Sequence, residues 1–446
     1  MSARFSAKWR VLFGVFTCMV MVLSLFTGCG GGDGDNGEDG ATDGGPDLAP
    51  VSTSAWPTPY QNIQRVGRSA AAGPQTPDVS WIFDGGSSTH SWAVLSEADE
   101  VVAGFGGRVV ALRPEDGSVA WEAPTPGDAA RSCDVGPDGT IYAGAGSRVY
   151  AIEPGGVEKW SYDLGSEVDG PSVGPDGSIY AGSVGGKLVA LSDSGELTWE
   201  KSVPGAICSP SFDQEGILYC SAATLRMYAF TSEGEQLWEF NPEGDLPVYE
   251  GLFEWANTLD NPSIGDDGTI YAGSYNSPNM TATGTQIPDY AVPQQARLYA
   301  ISPAGEKVWE FVSTYVGAST IHSPSIGEDG TLYCGTSCWR VLAVNPADGT
   351  LKWEFNTGEG QGLCPSIWSP SIGKDGLLYA ATTSAKIFCI TSDGAEKWRY
   401  QGGEPWLPNY GGSNGFTPPP INEEGVMFSV LNEGKVFAFG SGAAQQ

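Results

Sequence analysis

Pro324-Ser325-Ile326-Gly327-Glu328-Asp329-Gly330-Thr331-Leu332-Tyr333-Cys334-Gly335, followed by Val341-Leu342-Ala343-Val344 and Gly349-Thr350-Leu351-Lys352-Trp353, is the clearest copy of a pattern that the 446-residue chain repeats. Each copy ends on a tryptophan: Trp81, Trp121, Trp160, Trp199, Trp238, Trp309, Trp353 and Trp398. The spacings between them are 40, 39, 39, 39, 71, 44 and 45 residues. A period of about 40–45 residues carrying four strand signals points to a propeller, in which each repeat is one blade.

The turns place the strands inside a blade. Asp138-Gly139, Asp176-Gly177, Asp267-Gly268 and Asp329-Gly330 join strands A and B; Asp116-Gly117, Ser194-Gly195, Glu233-Gly234 and Asp348-Gly349 join C and D. Such pairs between apolar runs are hairpin signals, because glycine accepts the positive φ the turn requires. Pro171, Pro210, Pro262, Pro324, Pro370 and Pro419 fall in strand A. Proline has no N–H for a ladder, so strand A is expected to be an edge lining the central channel.

The chain ends complete one another. Val79–Phe83 reads as the last strand of a repeat whose beginning is missing, while residues 419–439 supply three strands and no closing tryptophan. The expected fold is all-β: an eight-bladed propeller of four-stranded blades over residues 56–440, its ring closed by the N-terminal strand completing the last blade. Closure leaves only short, protected sheet edges. The eight tryptophans are expected to pack between blades.

Residues 1–28 carry Arg4, Lys8 and Arg10 and then an apolar run from Val11 to Phe26, the pattern of a secretory signal peptide. Leu25-Phe26-Thr27-Gly28-Cys29 resembles a bacterial lipobox and marks Cys29 for lipidation. Residues 29–55 are rich in Gly and Asp and too polar to build a core, which suits a disordered tether; residues 441–446 form a short tail. The formal charge is −31, and losing the three signal bases takes it to −34. A surface so acidic disfavours nucleic acid and direct docking on anionic lipid. The expected location is the bacterial cell envelope, lipid-anchored at the outer membrane.

Ala343-Val344-Asn345-Pro346-Ala347-Asp348-Gly349-Thr350-Leu351-Lys352-Trp353 resembles the PQQ-like repeat of quinoprotein dehydrogenases, and related stretches end at Trp121, Trp160, Trp199, Trp238 and Trp309. The resemblance implies one of two activities. One is a PQQ- and calcium-dependent alcohol or sugar dehydrogenase. The other is a non-catalytic envelope lipoprotein like the propeller subunit of outer-membrane β-barrel assembly. The dehydrogenases use a disulfide of adjacent cysteines, which this chain lacks, together with long inserts it also lacks. The favoured expectation is a non-catalytic binding or assembly scaffold with no cofactor and no metal, taking a protein or glycan partner.

Departures from the repeat locate the expected binding face. The D-to-A loops of blades 5–8 are long and aromatic, and loops interrupting a regular scaffold commonly carry binding. Trp255, Tyr315, Trp339, Trp368, Trp406 and Tyr410 are the candidate contacts, since aromatics anchor interfaces. A base opens strand C in every blade (Arg108, Arg148, Lys187, Arg226, Arg297, Arg340, Lys386 and Lys435), and Arg340 and Lys386 join the candidate face. The pattern admits a plain strand-end preference or a ring of bases offered to an acidic partner. Seven cysteines remain after Cys18 and Cys29. Cys338–Cys364 is a candidate disulfide, and Cys208–Cys220 is another if the A–B register suits. Cys389 replaces the small alanine of strand C and is expected to be a buried thiol.

Overall fold

The computed structural model describes residues 52, 54–126, 130–205, 207–223, 225–242, 257–276, 296–314, 320–337, 339–358, 366–403 and 415–440. They belong to one unit, Asp47–Gln446, and among them there is no α-helix. Eight antiparallel sheets stand as the eight blades. Blade 6 is typical: Ser325–Ile326, Leu332–Gly335, Arg340–Val344 and Leu351–Asn356 pair in chain order. Strands B and C are buried apart from Arg340 at the start of C, while strand D is largely exposed, as expected of a sheet whose last strand faces solvent.

The ring closes as the sequence implies. Val79–Asp84 runs antiparallel to Lys435–Phe439, with Ile82 opposite Phe437. Met427–Leu431 pairs on the other side, and Ile421 bridges Met427 as the innermost strand. The core is not inside the blades but between them. Eight apolar clusters each draw on two neighbouring blades, the cluster of Leu95, Phe105 and Val110 with Phe428 and Val436 joining the first blade to the last.

A three-residue ladder explains why the repeat ends on tryptophan. In blade 6, Tyr333 lies opposite Ala343, which lies opposite Trp353. The small residue in the middle lets the outer rings meet, 5.8 Å apart between centroids. The same contact recurs at 5.7–5.9 Å for Tyr142–Trp160, Tyr219–Trp238, Tyr271–Trp309 and Tyr379–Trp398. A register shift follows the alanine–tryptophan pair in blades 1–6 and its Cys389–Trp398 counterpart in blade 7, a bulge that re-aims the indole.

Most of the indoles then reach the next blade. Trp160 Nε1 donates to the Asp193 carbonyl at 2.8 Å, Trp199 to Ser232 at 2.7 Å, Trp309 to Pro346 at 2.8 Å and Trp353 to Ser392 at 2.9 Å. Trp81 and Trp238 make the same bond to Pro114 and Pro303. Trp398 donates to Pro74, just before the closing strand, and Trp121 instead bonds the Glu100 carboxylate of its own blade. The C–D glycines lie flat on these rings: a Cβ at Gly349 would sit 2.6 Å from Trp309.

Candidate functional site

The innermost strands leave a row of N–H groups facing the channel, and residues 56–71 satisfy them. The Trp56 carbonyl accepts from Leu95, Pro57 from Val135, Ile63 from Phe212, Gln64 from Ile264, Val66 from Ile326 and Gly67 from Ile372, all at 2.8–3.0 Å. Ser69 then donates to the Ile372 carbonyl, and Ala71 accepts from Lys374. This segment is a strap that touches blades 1, 2, 4, 5, 6 and 7 in turn. In blade 3 the equivalent N–H, that of Val173, goes to Asp134 Oδ2 at 2.8 Å. Buried backbone donors need partners, and the strap supplies them.

Residues 58–67 form a closed loop inside the channel. Gly67 N–H donates back to the Tyr60 carbonyl at 2.9 Å, and Asn62 Oδ1 accepts from Val66. Tyr60, Gln61 and Arg65 all take positive φ (67°, 81° and 57°), a conformation that costs non-glycine residues energy and here holds Tyr60 and Arg65 in place. Gly67 is required: its φ is 68°, and a Cβ would meet Ser325 Oγ at 2.5 Å. The chain leaves the strap at the A–B turn end, where Ser52 Oγ bonds Glu97 at 2.7 Å.

At the opposite end the channel opens as a cup of about 270 Å³, with Pro59, Tyr60 and Arg65 lining it from the strap. Its walls follow a rule. The residue four places before the corresponding innermost-strand position of each blade varies around the ring, with only Asp occurring twice: Ser91, Arg131, Asp169, Cys208, Asp260, His322, Trp368 and Thr417. Arg131, Asp169, Cys208, Asp260 and Trp368 line the cup, with Trp92 and His90 beside them.

The aromatic side is a chain of rings. Tyr60 meets Trp92 edge-on at 5.0 Å, Trp92 meets Trp368 edge-on at 5.4 Å, and Trp368 lies 4.7 Å from the His322 ring. The polar side surrounds Arg65, whose guanidinium is buried and feels the charges of Asp134, Asp169 and Asp260. Burial pushes the Asp134 carboxyl up to about 7, although the Val173 and Val135 N–H groups and Arg65 pull the other way. Burial would also raise Asp260, but His322 and the N–H groups of Asn261 and Ser323 outweigh it and hold that carboxyl below its usual range. Burial and the nearby Asp260 charge keep Tyr60 protonated far above its ordinary range.

Asp260, His322 and Ser366 form a relay across blades 5, 6 and 7, with Nδ1 to Asp260 Oδ2 and Nε2 to Ser366 Oγ both at 3.0 Å. This is the spacing of a nucleophile, base and orienting acid. An acyl-transfer site also needs N–H donors for the developing oxyanion. Here the Ser366 N–H is given to Thr383 Oγ1 and that of Ile367 to the Thr336 carbonyl. The relay ties blades 5, 6 and 7 together, and its imidazole lies against the Trp368 ring.

Of the sequence-derived contacts, Trp368 stands at the cup. Trp339 sits on the B–C turn of blade 6 at φ 72°, its carbonyl accepting from Thr357, and does not line the cup. Trp255, Tyr315, Trp406, Tyr410, Cys29, Cys338 and Cys364 lie outside the described residues.

The bases opening strand C are mostly paired within their own blades. Arg108, Arg148, Lys187, Arg226, Arg297 and Arg340 pair with Glu122, Asp163, Glu200, Glu239, Glu310 and Glu354 on strand D of their own blades, and Lys435 pairs with Glu433. Lys386 is half-buried, and burial together with the Arg399 charge lowers its pKa. Cys208 and Cys220 are not a disulfide but two free thiols. Ile207 bridges Ala222 and Cys208 N–H bonds the Ser221 carbonyl, so Cys208 stands beside Ser221, one place out of register with Cys220. Cys389 is a fully buried free thiol opposite Trp398.

A family model described as outer membrane protein assembly factor BamB matches residues 69–136, 145–250 and 242–364, more than half of the chain. The chain belongs to this BamB family. A BamB of Moranella endobia is 34% identical over 98 residues, which span 20% of this chain and 24% of that relative. Among solved structures, BamB from Moraxella catarrhalis superposes with a TM-score of 0.55 at 15% identity, covering 82% of this chain and 99% of that one. Sqt1 from Saccharomyces cerevisiae gives 0.63 at 14% identity over the same shares. At such identities the likeness of these two structures is one of fold.

Proposed function

We propose that the chain is a non-catalytic scaffold in outer-membrane protein assembly, held at the membrane through a lipid on Cys29 and the 29–55 tether, and that it receives a protein partner at the open channel mouth. The observation that carries this reading is the asymmetry of the ring. The strap fills one end of the channel, and the chain leaves toward the N-terminus from that end, beside Glu97. A tether leaving there would turn the closed, acidic end toward the membrane and the cup away from it. Family membership supports the assembly role, and the mouth's blade-by-blade variation within a constant frame supports recognition rather than packing.

Removing the protein from its source cell is expected to lower the amount of folded outer-membrane β-barrel proteins, read as heat-modifiable bands on gels. Cys29→Ala is expected to release the protein from the membrane fraction. A photo-reactive amino acid at Trp368 is expected to capture a protein partner, and one at Lys159 on the outer strand of blade 2 is not. Unchanged barrel levels after removal would sink the assembly role.

A further inference from the structure

We propose that the cup binds an alkyl-stemmed cation, an ammonium or guanidinium group, supplied by a basic side chain of a partner protein or by a free amine. The partner-protein source rests on the function proposed above; the site's chemistry does not.

Two carboxylates of the cup lining, Asp169 and Asp260, act on the buried guanidinium of Arg65, and the Asp134 carboxyl, which burial raises to about 7, adds part of a charge. The other wall cation, Arg131, is bound to Glu167. The floor and far wall thus hold more negative than positive groups. Asp169 gives its Oδ2 to the N–H and hydroxyl of Ser209, both at 3.2 Å, and Asp260 keeps 34% of its side chain accessible. Both present acceptor capacity to the cavity.

Opposite these acids stand Tyr60, Trp92 and Trp368. Their edge-to-face contacts fix three aromatic rings around the opening. Ring faces attract cations, and the attraction grows when water is excluded. An apolar stem between the rings with its charged tip on the acids is how long basic side chains bury. A cavity of about 270 Å³ suits one such side chain rather than a folded segment. The chain's charge of −31 steers cations toward it. An anion would face the excess of carboxylates, and a neutral sugar would gain nothing from it.

Isothermal titration of the signal-free full chain distinguishes these. The probes are cadaverine and an acetylated, amidated Ala-Arg-Ala peptide, with N-acetylglucosamine and glutarate as neutral and anionic controls. Saturable binding of a cationic probe is expected, weakening as salt rises. Asp169→Asn is expected to weaken it at least about tenfold, and Trp92→Phe to weaken it as well. These two variants lie in different blades, and each is compared at an unchanged far-ultraviolet circular dichroism spectrum. A peptide that binds about tenfold tighter than cadaverine assigns the site to a protein side chain; equal affinities assign it to free amines.

Saturation by the sugar or glutarate alone, or no cation binding below about 10 mM, overturns the proposal. So does cation binding unaffected by both substitutions. Barrel loss in cells without cation binding refutes only this inference. Cation binding with normal barrel levels refutes only the assembly role.

Discussion

Asp134 gives the sharpest test of the channel's electrostatics. The residue is 1% exposed, and its carboxyl is pushed from 3.8 to about 7. The folded state therefore holds a proton that the unfolded state releases between those two values. The stability that Asp134 contributes is expected to be greatest below pH 4, to fall as pH rises through that window, and to level off above pH 7. A shift of about 3 units at about 1.4 kcal/mol each makes the loss roughly 4 kcal/mol. Asp99, raised to about 6, adds to the wild-type slope, so the test is a difference. Asp134→Asn is neutral at every pH and keeps an oxygen for the Val173 N–H, at a cost of about 1 kcal/mol for the second bond it loses. In guanidinium unfolding, the variant should be slightly weaker than wild type at pH 4 and more stable by about 3 kcal/mol at pH 8. If the variant-minus-wild-type difference stays constant from pH 4 to 8, Asp134 is ionised in the fold and the account of the Arg65 cluster is wrong.

The glycine-on-indole contact predicts a contrast between two positive-φ sites. Gly86→Ala (φ 75°, open space beyond) should cost only the left-handed penalty of about 1–2 kcal/mol, whereas Gly349→Ala (φ 72°) must also displace the Trp309 ring and should cost about 1–3 kcal/mol more in urea unfolding. Cys133, Cys220, Cys334 and Cys389 are fully buried, and burial pushes the Cys133, Cys220 and Cys389 thiols up to about 12 and also raises Cys334, so a thiol reagent should modify them only after denaturation. A non-reducing peptide map of the same sample should show no Cys208–Cys220 link, while the proposed Cys338–Cys364 bridge should appear there as a linked peptide.

The ring was legible because its causes are local and repeated. Asp-Gly turns, the strand-A prolines and the tryptophan period each follow from backbone or ring geometry within one blade, and the mismatched chain ends required Val79–Asp84 to close blade 8. The strap was not legible. Residues 56–71 have no periodicity because they follow the channel rather than a sheet, and their hydrogen bonds are spread over six distant blades. The bases that open strand C admitted two readings for the opposite reason. Their repetition was visible, but the carboxylates that neutralise them lie across a C–D register set by the bulge after alanine. The Tyr–Ala–Trp ladder was present in every typical repeat and needed only the pairing of three strands to be seen.

The cup had a sequence signature, though one of variation rather than motif. Aligning the repeats on the strand-A proline makes most neighbouring columns nearly constant and one column different in every blade but two: Ser91, Arg131, Asp169, Cys208, Asp260, His322, Trp368, Thr417. An eightfold frame by itself would ask for the same residue at that position in every blade. A column that packing leaves free and that nonetheless holds acids, a base, an imidazole and an indole is where a repeat protein can place an asymmetric site. The strap breaks the eightfold equivalence by filling one end of the channel and bringing Tyr60 and Arg65 up to that column. In the proposed reading, recognition depends on the strap and the mouth together: the acids of the variable column, in excess over Arg65, set which charge the cup accepts, and Tyr60 with the aromatic members of that column shapes it.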